Sequence, residues 1–550
     1  MRHRCLAVAT LLALPLSALA QSTIVSAARI HTMDPQQPVV QAMVYDRDGR
    51  ILEVGSLDAL RARHSGATRL DLGEATVIPG LIDAHGHIGN LGLTHVQVNL
   101  AGLRSKQAVL ERLRSFAADL PEDAWLTGRG WDQNLWPDRE FPSAADLDAL
   151  FPERPVWLRR VDGHAGWANS AAMRLATRPL AGDWQVDGGD IHRRDGQPTG
   201  IFIDAAMAFI SGAMPELDEA TATRALELGM RDAAAHGLTG VHDAGVSLAQ
   251  LQRYRRLADA GRMPVRITAM ADGDGAALAW LCSDGLYQHP GHRLRMRSVK
   301  LFADGALGSR GAAMAAAYSD ADTHGLMLTS PADLRRIATK AGDCKVQVNT
   351  HAIGDRGNHE VLEAYAHALG AAASGDHRWR VEHAQILAPD DIPRLRELGV
   401  IASMQPTHAT SDMGWAEDRV GPARIQGAYA WRKLRDAGVR LALGSDFPVE
   451  SVDPRLGLYA ATARADADGL PVGGWQPQEK LTAFEALRGF TIDAAWAGFA
   501  EDEVGSLEAG KRADFVVLGA DPLAVPDATL RTLDVRATYV DGKAVFERTP

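Results

Sequence analysis

The stretch Val77-Ile78-Pro79-Gly80-Leu81-Ile82-Asp83-Ala84-His85-Gly86-His87 decides how the rest of the chain is interpreted. It predicts an apolar strand that ends in two histidines. Side chains two residues apart on a strand point to the same side, so both imidazoles can reach one ion. Gly86 between them leaves room for that ion. A single His-x-His pair is weak evidence for a metal site, so the interpretation depends on the other strands.

Strand-like and helix-like segments alternate along the middle of the chain, which is typical of an α/β domain with a parallel sheet. We predict eight strands, at residues 77–85, 155–161, 237–243, 295–302, 345–351, 379–383, 399–405 and 439–446. They predict a (β/α)8 TIM-like barrel over residues 76–500, with insertions at 88–154 and 162–236. The β-rich flanks at 22–75 and 501–550 are short, so we expect them to form one small β-sandwich domain together.

Active sites of such barrels lie at the carboxyl ends of the strands, and five predicted strands deliver a ligand-type residue there. These residues are His85, His87, Lys300, His351, His383 and Asp446. Each has an ordinary structural explanation when taken alone, such as an aspartate that caps a turn. Six such coincidences are improbable together. Histidines with a carboxylate suit a divalent metal such as zinc.

Lys300 is the unexpected member of this set, because an ammonium group repels a cation and an unpaired buried lysine is costly. It becomes a ligand if its amine takes up CO₂ as a carbamate, an anion that can bridge two ions. The sequence does not show this modification. We therefore expect one or two divalent ions per chain, with a carbamate on Lys300 as a hypothesis.

The chain resembles the amidohydrolase superfamily of metal-dependent hydrolases, in particular the branch that includes N-substituted formamide deformylases. The resemblance covers nearly all of residues 22–550 and is carried by the motifs PGLIDAHGH (79–87), VKLFADG (299–305), NTHAIGD (349–355), VEHA (381–384) and GSDFPV (444–449). It implies that His85 and His87 bind one metal together with Asp446. It also implies that Lys300, as a carbamate, bridges to a second metal, which His351 and His383 hold.

This ligand set implies hydrolysis by water that a bound metal has activated. Asp446 is expected to take the proton of that water as general base and to pass it to the leaving group. We expect cleavage of a non-peptide amide or formamide C–N bond in a small molecule. The alternative is the same site acting on an ester, lactone, carbamate or cyclic amide. A remote alternative is a non-catalytic metal-binding or sensing protein, which would be expected to lack Asp446.

Further residues are expected to contact the substrate. His164 follows the predicted strand at 155–161 and is expected to meet a substrate oxygen, which makes it a second catalytic candidate. The further substrate-binding candidates are Trp131, His242, Asp304, Arg310 and Gln405. His408 is not expected to be a metal ligand.

Composition and the N-terminal sequence bear on partners and compartment. The net charge of −11, without a long basic stripe, argues against a nucleic-acid partner. Residues 1–20 combine basic residues, an apolar stretch and the small-x-small motif Ala18-Leu19-Ala20, which is typical of a cleavable signal peptide. We expect export, to a bacterial periplasm, with no membrane anchor after cleavage. There Cys282 and Cys344 either pair or stay separate buried thiols. A homodimer is the commonest assembly, although the sequence does not determine it.

Overall fold

The computed structural model describes residues 22–118, 120–121 and 124–549. The predicted signal peptide at 1–20 lies outside these residues. The N-terminal segment forms β1 (Thr23–His31), β2 (Val39–Tyr45), β3 (Ile51–Gly55), α1 (Leu57–Arg63), β4 (Thr68–Asp71) and β5 (Thr76–Pro79). These strands belong to a sheet that the other end of the chain completes.

The predicted strand at 77–85 is in fact two strands that belong to different sheets. β5 ends at Pro79, and β6 (Leu81–Gly86), which α2 (Ile88–Leu93) follows, is the first strand of a barrel. Gly80 lies at the junction, where its N–H donates to the Asp514 carbonyl at 2.8 Å. A Cβ at this position would lie 2.1 Å from the Thr239 hydroxyl oxygen. Only glycine therefore fits this close approach of the two sheets.

One continuous subdomain, called the insert here (residues 98–211), follows α2. It consists of β7 (Val98–Asn99), α3 (Lys106–Ala117), β8 (Leu126–Trp131), α4 (Ala144–Asp148), β9 (Val156–Arg160), β10 (Ala165–Ala168), α5 (Ser170–Arg174), β11 (Gly189–Arg194), β12 (Gln197–Asp204) and α6 (Ala208–Ser211). Its strands form a six-stranded sheet in the order β11-β12-β10-β9-β8-β7. Trp131, Trp136 and Trp167 are buried in its own apolar core.

The barrel continues after the insert. Its elements are α7 (Glu219–Ala235), β13 (Leu238–Val246), α8 (Leu248–Asp259), β14 (Arg266–Asp272), α9 (Ala276–Asp284), β15 (Tyr287–Gln288), β16 (Leu294–Phe302), α10 (Pro331–Asp343), β17 (Gln347–Ala352), α11 (Asp355–Leu369), β18 (Arg380–His383), α12 (Asp391–Glu397), β19 (Ile401–Met404), α13 (Pro406–Asp412), α14 (Ala416–Arg424), α15 (Trp431–Asp436), β20 (Leu441–Leu443), α16 (Pro454–Ala463), α17 (Ala483–Gly489) and α18 (Ile492–Ala497). Helix starts follow local capping chemistry. Ser330, for example, accepts the Asp333 N–H at the start of α10, whose first residue is Pro331.

Eight parallel strands form the barrel, in the order β20-β19-β18-β17-β16-β14-β13-β6. The gap between the last strand and the first is bridged at their carboxyl ends. The Asp446 N–H donates to the His85 carbonyl at 2.7 Å, and the Ser445 hydroxyl donates to the Asp83 carboxylate at 2.7 Å. These contacts fix Asp446 beside the two histidines of the opening motif.

Two features of the predicted barrel are wrong. Residues 155–161 do not form its second strand, because β9 lies in the sheet of the insert. The strand that was missed is β14, whose sequence Arg-Ile-Thr-Ala-Met-Ala-Asp has only two β-branched residues and whose terminal Asp272 was not among the predicted ligands. The two predicted insertions are therefore one unit, and α7 belongs to the barrel because it packs against α2.

The C-terminal segment returns to the first sheet with β21 (Phe515–Leu518), α19 (Asp527–Leu530), β22 (Val535–Val540) and β23 (Lys543–Glu547). Antiparallel pairing of β5 with β21 joins both chain ends in one eight-stranded sheet, called the terminal sheet here. Its description as a β-sandwich stays a prediction. Cys282 and Cys344 form a disulfide that connects α9 to the end of α10. Among the described residues, no helix has the length and apolarity needed to cross a bilayer.

Candidate active site

A cavity of about 1790 Å³ lies between the carboxyl ends of the barrel strands and the insert. The predicted site residues that line it are His85, His87, His164, Lys300, His351, His383 and Asp446. The strand-end rule thus brings together six residues that are spread over the whole barrel sequence. His164 is the exception, since it comes from the loop between β9 and β10 of the insert.

His85, His87 and Asp446 form the tightest group in the cavity. The Nε2 atoms of His85 and His87 lie 3.5 and 3.0 Å from the same carboxylate oxygen, Asp446 Oδ1. One donor atom from each residue lies within 4.8 Å of those of the other two. Asp446 Oδ1 is buried and makes no hydrogen bond to any described residue. Three lone pairs that converge on one small space fit a divalent cation.

The Nδ1 atoms of His85, His87 and His383 each make a hydrogen bond. His85 Nδ1 lies 2.5 Å from Glu382 Oε2, and His87 Nδ1 lies 3.0 Å from the Ala244 carbonyl. His383 Nδ1 lies 2.7 Å from Gln405 Oε1. Such partners fix the ring orientation and leave Nε2 directed into the cavity. Burial and the positive charge of Lys300 lower the pKa of His85 to about 4, so its ring is neutral and can act as a ligand at pH 7.

Glu382 connects the metal-type cluster to a buried polar network in the barrel interior. Its side chain is fully buried, and its Oε2 accepts a hydrogen bond from Arg380 Nη2 at 2.9 Å. Arg380 Nε lies 2.7 Å from Oε1 in the same ion pair. Burial opposes ionisation of Glu382, but the charge of Arg380 and the contact with His85 outweigh it and hold the pKa of the carboxyl well below its usual range. Arg380 also contacts His242 Nδ1 at 2.9 Å. His242 is buried behind the cavity, so its prediction as a substrate-binding residue is corrected.

A second metal-type group shares Asp446 with the first. His383, His408 and Asp446 each offer a donor atom within 4.8 Å of the other two. The rings of His351 and His383 are close neighbours, with centroids 4.6 Å apart. His408 lies 3.7 Å from Asp446 Oδ2 and stacks on His383, so its position makes it a candidate ligand that the sequence did not favour. It follows the carboxyl end of β19, so the strand-end rule could have predicted it as a ligand candidate.

Lys300 is buried at the centre of the cluster, with only 1% of its surface exposed. Its Nζ lies 3.2 Å from His85 Nε2, and no carboxylate of the described residues lies within 4.0 Å of it. Burial lowers the pKa of the amine to about 8. An unmodified ammonium here would oppose a cation held by the neighbouring histidines. A positive charge on Lys300 is therefore unfavourable when a metal is bound beside it.

His164 is held over the barrel mouth by Asp204, a residue that no motif in the sequence marks as functional. His164 Nδ1 lies 2.5 Å from Asp204 Oδ1, and its ring centroid lies 5.2 Å from that of His351. Asp204 ends β12 with a positive φ of 47°, a costly conformation for a residue other than glycine. Burial opposes protonation of His164, but the charge of Asp204 outweighs it and raises the pKa of the ring.

Four further substrate-binding predictions are corrected by where the structure places the side chains. Trp131 is fully buried in the insert core, and its Nε1–H donates to the Leu158 carbonyl at 2.9 Å. Asp304 accepts the N–H groups of Ile353 and Gly354 just before α11. Arg310 pairs with Asp320, and Gln405 supports His383 from behind. Of the predicted substrate contacts, only His164 lines the cavity.

Comparison with known proteins agrees with this geometry. The model of the amidohydrolase family, Amidohydro_3, matches residues 69–546. The chain is 32% identical to the N-substituted formamide deformylase of Arthrobacter pascens, over 95% of this chain and 98% of that protein. It is also 32% identical to the protein LONG AFTER FAR-RED 3 of Arabidopsis thaliana, over 97% of this chain and 93% of that protein. The crystal structure of an uncharacterized metal-dependent hydrolase from Pyrococcus horikoshii superposes with a TM-score of 0.76 at 26% identity, covering 92% of this chain and 99% of that chain.

Proposed function

The chain belongs to the amidohydrolase family, and on this premise we propose that it hydrolyses a non-peptide amide or formamide C–N bond of a small molecule. The observation that carries the proposal is the convergence of His85, His87 and Asp446 on one space in a large cavity. The similarity to a formamide deformylase supports the choice of bond. The same site acting on an ester, lactone, carbamate or cyclic amide remains the alternative.

The residues suit divalent metal, which we propose to be zinc, at one or two ions per chain. His85, His87 and Asp446 would hold one ion, and His351 with His383 would hold the second. His408, which offers a donor atom beside His383, is a further ligand candidate. A divalent ion in such a site lowers the pKa of water and so supplies hydroxide near neutral pH.

Asp446 is the proposed general base. Its backbone is fixed by the bond to His85, and its carboxylate lies next to both metal-type groups. Burial opposes its ionisation, but contacts with His87 and His85 outweigh that effect and hold the pKa of Asp446 well below its usual range. The carboxylate is therefore available to accept the proton of the attacking water. It then passes this proton to the leaving amine, which needs protonation in order to depart.

His164 is the proposed second catalytic residue, on the substrate side of the cavity. Asp204 fixes its Nδ1, so that Nε2 is the ring atom left to meet the substrate. A ring that donates a hydrogen bond from Nε2 would stabilise the negative charge that develops on the carbonyl oxygen. The insert thus supplies one half of the site and the barrel supplies the other.

Lys300 is proposed to carry a carbamate in the active protein. The amine attacks CO₂ through its lone pair, and the loss of one proton leaves an anionic N-carboxylate. A pKa of about 8 leaves on the order of a tenth of the amine neutral at pH 7, which is enough to react slowly. The product replaces a buried positive charge by a negative one beside His85, which favours cation binding.

We also propose that the protein works in an oxidising compartment, as expected for an exported chain. The Cys282–Cys344 disulfide supports this proposal, since such bonds persist outside the reducing cytosol. Assembly as a homodimer stays a proposal from base rates alone.

The test is metal content per chain, measured on protein purified without chelator, together with intact mass under mild conditions. Hydrolysis of a matched N-formyl amine and formate ester is then measured on the same preparation. His87→Asn is expected to lose bound metal and activity, while the control His289→Asn, outside the cavity, keeps both. Wild-type protein that holds no metal and hydrolyses neither compound after zinc or manganese is added would contradict the proposal.

A further inference from the structure

Two arginines of the insert lie in the cavity wall without a carboxylate partner. Arg129 is on β8 and Arg159 is on β9, and the two are direct neighbours in the parallel pairing of these strands. Arg129 is only 7% exposed, and Arg159 is half-buried. Among the described residues, no carboxylate oxygen lies within 4.0 Å of either guanidinium. Two adjacent cations are thus held at the edge of the cavity without a carboxylate in direct contact.

Arg160, the next residue along β9, is an arginine with a structural role and provides a comparison. Arg160 forms ion pairs with both Asp132 and Asp162 and also donates to Gln133 at 2.8 Å. The insert can therefore supply carboxylates to a buried guanidinium in this wall. It supplies none to Arg129 or Arg159, although they lie on the same two strands.

The polar contacts of the two arginines leave much of their donor capacity unused. Arg129 donates to the Val161 carbonyl at 2.7 Å, and Arg159 donates to the Gly163 carbonyl at 3.2 Å. The Nε atoms of both are buried and make no hydrogen bond to any described residue. A buried charge without a partner costs several kcal/mol, so such a pair is expected only where a ligand supplies the missing anion. Burial and the neighbouring Arg159 lower the pKa of Arg129 only to about 9, and it stays charged at pH 7.

Asp162 lines the cavity and acts on both arginines through its charge, but its carboxylate is already paired with Arg160. Asp412 accepts hydrogen bonds from Tyr429 and Gln385, and Asp204 pairs with His164. Burial raises the pKa of Glu450 to about 8, so this carboxyl is mainly neutral at pH 7. The wall that the insert contributes therefore presents two guanidiniums that have no ion-pair partner among the described residues.

We propose that Arg129 and Arg159 form a subsite for a carboxylate group of the substrate, so that the substrate is an anionic N-acyl or N-formyl compound. Adjacent guanidiniums match the two oxygens of a carboxylate. The carbonyl that Arg159 contacts belongs to Gly163, the residue before His164. A carboxylate bound here would lie beside His164 and would orient the scissile bond toward the metal-type residues. This inference deepens the proposed function and rests on it for the reaction, whereas binding of the anion is tested without turnover.

The test is calorimetric titration of the metal-loaded full chain with N-acetylglycine and with N-acetylglycinamide, which differ in one negative charge. The wild type is expected to prefer the carboxylate by about tenfold or more, since hydrogen bonds to charged groups are each worth about that factor. Arg129→Gln and Arg159→Gln are each expected to lose most of this preference. The control Arg194→Gln removes the same charge from an exposed position on β11 outside the cavity and is expected to keep it.

The outcomes distinguish failure of the carboxylate subsite from failure of the proposed hydrolysis. Equal affinity for the two probes, or no binding of either at millimolar concentration, would overturn the subsite. So would a preference that survives in both variants, since the metal alone would then explain it. If Arg129→Gln does not fold, as judged by thermal unfolding, the less buried Arg159→Gln carries the test. Preferential binding of the carboxylate by a protein that hydrolyses no amide would support the subsite and refute the proposed function.

Discussion

Replacement of Glu382 by glutamine removes one negative charge from the interior of the barrel while it keeps the shape of the side chain. The carboxylate lies between Arg380 and His85, at 2.7 Å and 2.5 Å, and none of its surface is exposed. Two separate losses follow. Arg380 becomes a buried cation with no carboxylate partner, and the ring of His85 loses the acceptor that fixes its orientation.

The two losses have different expected sizes. Loss of one partner from a buried ion pair costs about 3–5 kcal/mol of unfolding free energy. Loss of the carboxylate that orients a ligating histidine lowers metal affinity by about 10- to 100-fold. The first effect is expected in metal-free protein, and the second appears only when metal binds.

The assay is urea unfolding of metal-free protein, followed by competition for zinc against a chelating dye. The matched control is Glu363→Gln, which breaks the half-exposed pair of Glu363 with Arg394 at 2.6 Å and is expected to cost less than about 1 kcal/mol. A Glu382→Gln variant that unfolds like the control and binds zinc as tightly as the wild type would refute the reasoning.

Three further variants test other parts of the site. In metal-free protein kept free of CO₂, the unfolding free energy is expected to rise by on the order of 3 kcal/mol as the pH increases from about 8 to 10.5. The reason is that the folded state holds the Lys300 pKa below that of the unfolded chain. Lys300→Met, which lacks the amine, is expected to show no such rise in thermal unfolding. Asp204→Asn is expected to lower kcat by about 100-fold at unchanged metal content, since His164 loses its orienting partner, and equal kcat values in the two proteins would show that Asp204 does not act through His164. Trp131→Phe is expected to leave KM unchanged while it lowers the unfolding free energy by about 1–3 kcal/mol, whereas a raised KM at unchanged stability would restore Trp131 to the substrate site.

The parts of the barrel that could be predicted are those where an apolar run ends in a chemically unusual residue. β6, β16, β17 and β18 are of this kind, because buried parallel strands give continuous apolar segments and their carboxyl ends meet in one place. β14 lacked the first signal, because Arg266 and Thr268 interrupt its apolar run, and its terminal Asp272 was not recognised as a strand-end residue. β9, which has a clearer strand pattern, was assigned to the barrel instead.

The chemistry of the site was predictable only where it depends on residue type. Lys300 stands out because a lysine in an apolar strand is expensive wherever the chain folds. Asp204 and Glu382 could not be assigned roles, since each contacts a histidine far away in sequence. The prediction for Trp131 was wrong because the sequence pattern around an aromatic residue in an inserted segment is the same whether its side chain lines a pocket or fills the core of that segment.

The pairing of β5 with β21 has a consequence for how the chain is made. The first strands of the terminal sheet emerge from the ribosome long before their partners, so β5 presents unsatisfied backbone groups throughout synthesis of the barrel. Closing so large a loop is slow compared with local pairing, so we expect the β5–β21 pairing to form after the local pairs of the same sheet. A chain that terminates before Phe515 would carry a complete barrel sequence and still expose an open strand edge. Cellular quality control that binds exposed strand edges would therefore remove incomplete chains, whether or not their active sites had formed.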